Sequence, residues 1–342
     1  SVDDVVDLES AGSFVISPDE SWTAWIKTVS DKGKNVKVGN LFLTSLTDTM
    51  TLQLTRGKDG ARSPKFSPDG AKLAFLAARG KDKTQIYIYD MRGGSPEKLT
   101  SIARGVRSYA WRNNGELLFT AAEDSTLRER KLKEKKDDVI VVADQEHYGP
   151  VRLFSISLDK KKVQRLTRNA GVINEFAVSP DGRWVVNSEN IDVDYRYDHR
   201  TRPVQRLLDL ESGEIREIFT EPFLDPSRFV WAHDGMGFYC RKAMASDSTE
   251  DYVSISHLWY FDMTREALEP VTSIWKRGLG MGGGYHVADN GILVTIADGS
   301  RNRLAFITRT SKGFSKRYVE SPSSLQVRMQ AARPGGKRIV YM

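Results

Sequence analysis

Lys65 to Ala77 reads KFSPDGAKLAFLA: an apolar approach, a Ser-Pro-Asp-Gly corner, and a run in which Leu73 and Phe75 alternate with Lys72 and Ala74. Pro68 holds φ at about −65° early in the corner, Asp69 brings a side-chain acceptor, and Gly70 tolerates the positive φ that a tight hairpin demands. The alternation beyond the corner has the two-residue period of a strand. The stretch therefore predicts two antiparallel strands joined by a short turn. Outward in both directions the same sentence returns: FVISPDESWTAWI (Phe14 to Ile26), AWRNNGELLFTA (Ala110 to Ala121), AVSPDGRWVVNS (Ala177 to Ser188), VWAHDGMGFYC (Val230 to Cys240), HVADNGILVTI (His286 to Ile296) and QAARPGGKRIVYM (Gln330 to Met342).

The residue before the turn glycine, or its equivalent, falls at Asp19, Asp69, Asn114, Asp181, Asp234, Asn290 and Gly335, at intervals of 45 to 67 residues. These intervals match or slightly exceed the roughly 40 to 45 residues of a WD-repeat blade. A third run follows, as in QIYIYD (Gln85 to Asp90), RLFSISL (Arg152 to Leu158), VQRLLDL (Val204 to Leu210), LWYFDM (Leu258 to Met263) and RLAFITR (Arg303 to Arg309). A short fourth run often ends in Leu-Thr, at Leu52 to Thr55, Glu97 to Thr100 and Gln164 to Thr167. Four antiparallel strands per repeat make one blade, so the chain is expected to be all-β, a seven-bladed β-propeller of four-stranded antiparallel blades. A β-sandwich shares the short strands and Gly-rich turns but does not repeat one four-strand sentence with the same turn chemistry. The seventh copy stops at Met342 after its second strand. Residues 1–342 thus read as six full blades plus the first half of the seventh, with about 20 residues needed to complete it. That completion is expected because soluble proteins avoid unpaired strand edges, and a further domain is expected beyond it.

The chain has 51 Lys and Arg against 45 Asp and Glu, a net charge of +6, and Arg128 to Lys136 (RERKLKEKK) alone carries +4 of it. The basic balance is one mixed-sign surface run rather than a phosphate-binding face, and no nucleic-acid partner is expected. At 39% hydrophobic and 28% charged, the composition supports a packed core and excludes a disordered chain. The longest apolar runs, such as Val139 to Ala143, fall far short of the roughly 18 residues of a membrane span, so no membrane partner is expected either. The single cysteine, Cys240, excludes an internal disulfide and cysteine-pair metal sites. It reads as a small buried hydrophobe on a strand. Ser1 to Leu8 lacks the basic start and apolar stretch of a signal peptide, which leaves cytoplasm and periplasm both open.

The opening VDDVVDLESAGSFVISPDESWTAW resembles the start of prolyl oligopeptidase family proteins, where a short segment precedes a first SPDG-type turn. KKDDVIVVADQEHYGPVRLFSISL (Lys135 to Leu158) is similar to the corresponding region of acylaminoacyl-peptidase-type and dipeptidyl-peptidase-type members. The resemblance covers essentially all of the chain. It implies a propeller that caps an α/β-hydrolase domain, carrying a Ser-Asp-His triad, and that admits short peptides. This chain departs from the family at the nucleophile. A nucleophile elbow needs G-x-S-x-G to make its sharp strand-to-helix turn; Gly94-Ser95 runs into Pro96, and Ser212-Gly213 has Leu210 where the first glycine belongs. The expected function is therefore the non-catalytic propeller portion of a serine peptidase, gating and orienting short peptides for a C-terminal hydrolase domain of the same polypeptide. The alternative is a TolB-like or WD-type propeller that binds a protein partner.

Other motifs carry less. GLGMGG (Gly278 to Gly283) matches G-x-G-x-x-G but is followed by strand-turn-strand instead of the helix that would receive a pyrophosphate. The five histidines lack the i, i+4 pairing of a helical zinc site, and neither a metal nor a cofactor is expected. The tryptophans read as packing between sheets rather than as a stacking platform. Recognition is expected in the loops joining second to third strands, since long loops on a rigid scaffold carry function. These are Glu123 to Gly149, Ala243 to Ile255 and Glu189 to Arg202 (ENIDVDYRYDHRTR). In an exopeptidase a loop carboxylate can pair with the free amino group of a peptide and an arginine with a carbonyl or carboxylate. The candidates are Glu189, Asp192, Asp194, Tyr195 and Arg196.

Overall fold

The computed structural model describes residues 9–31, 33, 35–48, 50–57, 60–123, 135, 149–192, 194–195, 200–219, 226–245, 254–271, 278–280, 284–299, 301–319, 329–332 and 339–341. Every repeat found in the sequence begins with an antiparallel hairpin. The first sheet contains β1 (Ser10–Ile16), β2 (Trp22–Asp31), β3 (Val36–Ser45) and β4 (Thr51–Gln53), hydrogen-bonded in chain order. The second repeats that order with β5 (Ala61–Phe66), β6 (Lys72–Ala77), β7 (Gln85–Asp90) and β8 (Glu97–Lys98). Next come β9 (Val106–Asn113), β10 (Glu116–Ala122), β11 (Val151–Ser157), β12 (Val163–Arg165), β13 (Val172–Val178), β14 (Trp184–Asn190), β15 (Val204–Asp209) and β16 (Ile215–Ile218), all in one eight-stranded sheet. Two four-stranded sheets follow. They are built from β17 (Ser227–Trp231), β18 (Gly237–Ala245), β19 (Ser254–Asp262) and β20 (Ala267–Pro270), then from β21 (Tyr285–Ala288), β22 (Gly291–Asp298), β23 (Arg301–Thr310) and β24 (Gly313–Tyr318). A two-stranded sheet of β25 (Met329–Ala332) and β26 (Ile339–Tyr341) ends the chain.

This corrects the expectation of seven four-stranded blades: among the described residues, four discrete four-stranded sheets form. Two repeats merge because β11 and β13 meet in a single parallel pair, Val151 opposite Val172, where the Val151 N–H donates to the Gly171 carbonyl at 3.2 Å. Both valines are buried, so the pair closes an apolar seam. One loop expectation also changes. Strands β18 and β19 extend over Ala243–Ala245 and Ser254–Ile255, shortening that loop to 246–253. Most of Glu123 to Gly149 lies outside the described residues.

The hairpin corners hold themselves by local chemistry. Ser17 and Ser67 donate their hydroxyls to Asp19 and Asp69 at 2.5 and 2.6 Å, and Ser179 donates to Asp181. Each serine oxygen also accepts the backbone N–H of the residue that opens the second strand, from Trp22, Lys72 and Trp184 at 2.8 to 2.9 Å. The three serines are buried, and the hydrogen bond from Ser67 holds the Asp69 carboxyl below the usual carboxylate range. Gly70 and Gly182 take φ of 73°; Glu20 stands at the matching place in the first corner with φ 58°.

First strands share a second device. β1, β5, β13 and β17 shift register between Gly12 and Val15, Arg62 and Lys65, Ile173 and Glu175, and Ser227 and Val230. Ser13, Ser63 and Arg228 sit in three of these bulges at φ 53°, 54° and 57°, a left-handed conformation that is costly for residues with a Cβ.

The chain divides into two compact units, Ser1–Gly80 with Ile86–Glu97 and Pro226–Met342, and Lys81–Gln85 with Lys98–Asp225. In the first, Ala24, Leu41, Leu73, Phe75 and Tyr87 form one buried cluster, and Tyr239, Tyr260, Ile292, Val294 and Ile307 belong to another. In the second, Leu118, Leu153, Ile173, Val185 and Leu208 pack together. These are the inward positions of the alternating runs, and fully burying each large side chain contributes about 1.5 to 3 kcal/mol.

Candidate functional site

The site is built at the end of β14 that lies away from its hairpin corner. Directly opposed residues on neighbouring strands project to one face. Asn187 pairs with Phe176 on β13 and Arg206 on β15, and Glu189, two residues on, shares that face. Glu189 and Arg206 therefore meet by register. Glu189 is 2% exposed; its Oε1 accepts the Gly171 N–H at 2.9 Å and its Oε2 pairs with the Arg206 guanidinium. Gly171 has no space for a side chain, because a Cβ there would lie 2.1 Å from the Asn190 carbonyl oxygen.

The connection from β12 to β13 is tied down beside it. Thr167 donates its hydroxyl to Asn169 Oδ1 at 2.7 Å and accepts the Leu153 N–H at 3.0 Å. The Asn169 amide donates to the carbonyls of Val151 and Gly171 at 3.0 and 2.9 Å. This is the Leu-Thr ending of the fourth run: its threonine reaches back to the third strand, as Thr55 does when it accepts the Leu41 N–H at 2.9 Å.

Between these elements lies a cavity of about 570 Å3, lined among others by Ile173, Asn187, Glu189, Ile191, Asp192, Arg206 and Ile215. Of the five expected residues, Glu189 and Asp192 are brought together here. Asp192 is half-buried and accepts the Asp194 N–H at 2.9 Å. Asp194 and Tyr195 continue the loop without lining the cavity, and Arg196 lies outside the described residues. Asn187 and Arg206 were missed. The available signal for Arg206 was a charge inside the strand run VQRLLDL; nothing local marks Asn187. Asn187 is 3% exposed, and its Oδ1 has no hydrogen-bond partner among the described residues. The arrangement thus offers an internally neutralised ion pair, a half-buried carboxylate, a buried neutral acceptor and an aliphatic wall.

A larger cavity of about 1010 Å3 lies in the other unit, toward the hairpin corners of β17–β18 and β21–β22. Both of its arginines are paired. Arg309 pairs with Asp262, donates to the Tyr260 hydroxyl at 3.0 Å and stacks over that ring at 4.3 Å. Arg265 pairs with Asp262 and Glu269. Burial opposes ionisation of Asp262, but hydrogen bonds from the Arg265 and Thr264 backbones and the Arg265 side chain hold its pKa below the usual range.

No protein-family model matches the chain. It is 27% identical over 202 residues, 55% of its length, to the uncharacterized peptidase YuxL of Bacillus subtilis, spanning 31% of that protein. It is 27% identical over 238 residues, 63% of its length, to dipeptidyl-peptidase 5 of Aspergillus fumigatus, spanning 28% of that protein. The chain thus spans about a third of the length of these relatives. Among solved structures, 99% of the chain superposes on 49% of Pyrococcus horikoshii acylaminoacyl peptidase with a TM-score of 0.69 at 14% identity. The β-propeller domain of the Trilobed protease from Pyrococcus furiosus, with an open velcro topology, gives 0.59 at 14% identity over 94% of this chain and 85% of that one. TolB from Acinetobacter baumannii gives 0.52 at 13% identity, over 91% and 80%. The fold is an all-β propeller of small antiparallel sheets, and on sequence and fold together the chain is similar to the propeller region of prolyl oligopeptidase family peptidases.

Proposed function

We propose that this chain is the non-catalytic propeller portion of a prolyl oligopeptidase-like serine peptidase, gating and orienting short peptides for a hydrolase domain carried elsewhere in the same polypeptide. One observation carries the reading: nearly the whole chain superposes on about half of an acylaminoacyl peptidase. The absence of G-x-S-x-G from its sequence leaves the bond-breaking step to the remaining half. The lower TM-score against TolB favours this over a purely protein-binding propeller. In this reading the β14–β15 end faces the substrate. Asp192, at the cavity, pairs with the amino group of an incoming peptide, Asp194 and Tyr195 follow it in the loop, and Arg196 is retained as the partner of a carbonyl or carboxylate. Glu189 is spent on Arg206 and Gly171 and shapes the site instead of receiving the amine.

A serine-directed fluorophosphonate tests the division of labour. It is expected to label the longer parent polypeptide and to leave residues 1–342 unlabelled; labelling of residues 1–342 overturns the reading. For the substrate-facing surface, Asp192→Asn and Arg196→Ala in the parent are expected to lower kcat/KM for peptides with a free amino terminus by about tenfold, the scale of one charge-assisted hydrogen bond. Unchanged kcat/KM in both variants removes that assignment.

A further inference from the structure

We infer that a cavity of about 360 Å3 between the first two sheets is a carboxylate site, with Arg56 and Arg79 receiving the C-terminus or an acidic side chain of a peptide. This rests on the peptide-facing reading of the strand ends and names a chemical group that one of them selects. The cavity's place in the repeat matches that of the cavity beside β14. Leu54-Thr55-Arg56 and Leu166-Thr167-Arg168 are the same ending of a fourth run, and Thr55 and Thr167 each accept an N–H from the third strand. In both cases the threonine and the arginine line the cavity. So do the cross-strand pairs Ala61–Ala77 and Ile173–Glu189, at the ends of their hairpins away from the corners. Two residues on, Arg79 lines the one cavity and Ile191 the other.

The charges differ between the two. Beside β14, Arg168 and Arg206 are matched in number by Glu189 and Asp192. In the smaller cavity Ala77 stands where Glu189 would be, and no acid is among the lining residues. Neither Arg56 nor Arg79 has an acidic partner among the described residues. Arg79 is half-buried, and its guanidinium lies over the ring of the buried Tyr87 at 4.3 Å. Stacking of this kind holds the planar fork while leaving its N–H groups to a ligand. A partly buried charge without a partner is costly, so an anion that supplies one is favoured. Arg56 is exposed and adds a second guanidinium to the lining. The planar fork of an arginine matches a carboxylate, which it can hold through two parallel hydrogen bonds. The volume falls within the range of roughly 300 to 1,000 Å3 typical of small-ligand sites.

The test uses probes without an amino group, so that it does not depend on Asp192. N-acetylglycine carries its carboxylate as a C-terminus, and N-acetylglutamic acid α-amide carries it on a side chain. Both are titrated into the intact chain beside their neutral twins, N-acetylglycinamide and N-acetylglutamine amide, and followed by NMR. At least one carboxylate is expected to bind in the millimolar range, about tenfold more tightly than its twin, with shifts centred on the Ala61 and Ala77 amides. Its affinity is expected to fall as salt is raised, and the tighter of the two carboxylates names the part of a peptide that docks. Arg56→Gln and Arg79→Gln are each expected to weaken that carboxylate several-fold and to leave its twin unchanged. Arg56→Gln, at an exposed position, carries the test if Arg79→Gln does not fold. Equal affinity of both carboxylates and their twins overturns the site, as does a carboxylate preference undiminished in Arg56→Gln or in Arg79→Gln. Either result leaves the peptidase reading standing or falling on fluorophosphonate labelling of the parent, which does not involve this cavity.

Discussion

The two ends of β14 use the same strand for opposite purposes. At its corner end, Ser179 gives its hydroxyl to Asp181 and receives the Trp184 N–H, and the backbone N–H of Ser179 reaches the Trp184 carbonyl at 2.8 Å. These partners of Ser179 lie within five residues of it. At the far end Glu189 finds Gly171 and Arg206, 18 and 17 residues away, and Asn187 is left with an unpartnered oxygen. The corner is closed by local chemistry that recurs through the chain; the far end is assembled from distant segments and stays chemically open. A scaffold that repeats its corners can vary its open ends without losing its fold.

The largest effect that would sharpen this contrast is expected at the open end. Glu189→Ala leaves the half-buried Arg206 guanidinium with only Glu217, at 3.8 Å, and the Gly171 N–H unpaired, and should lower unfolding free energy by about 2 to 3 kcal/mol in urea titrations. Glu189→Gln, whose single carbonyl oxygen keeps one of the two hydrogen bonds, should cost less. A loss in Glu189→Ala no larger than for an exposed glutamate would show that the ion pair does not organise this end. At the corner, Ser179→Ala or Ser67→Ala removes one hydroxyl that serves two bonds, for an expected loss of about 1 to 2 kcal/mol. Similar losses at both corners would support their equivalence, and a large difference would break it.

Relief of strain should act in the other direction. Ser63→Gly, in the bulge of β5 at φ 54°, is expected to raise stability by up to about 1 kcal/mol, since glycine adopts that conformation without a Cβ penalty but adds freedom to the unfolded chain. A destabilisation would mean that the serine side chain holds the bulge. The smallest expected effect is a pH dependence at the end of β15. Hydrogen bonds from Arg183 lower the Asp209 pKa to about 2, from an ordinary aspartate value of 3.8. The unfolded chain binds that proton first, so the contribution of Asp209 is present above about pH 4 and fades as pH falls toward 2. Asp209→Asn should flatten the acid limb of a stability–pH curve, and an unaltered limb would exclude this pair as its source.

Part of this was legible beforehand because it is local. The Ser-Pro-Asp-Gly corners, the alternation of Leu73 and Phe75, and the burial of Cys240 follow from residue types within a few positions of one another. One recurring signal was overlooked. Third strands end in aspartate at Asp90, Asp209 and Asp262, and each accepts the N–H two residues on, from Arg92, Glu211 and Thr264 at 2.9 to 3.0 Å. That repeat was as readable as the corners.

Composition and turn chemistry determined that this chain makes short antiparallel strands joined by tight corners, because corner residues such as Ser67 and Asp69 bond to each other and to neighbours a few residues away. Only the tertiary structure decided that Val151 would lie beside Val172 and fuse two repeats, that Glu189 would be spent on Arg206, and that Asn187 would be left facing a cavity. Those outcomes depend on strand register and on which segments pack side by side, and no short stretch of sequence carries that information.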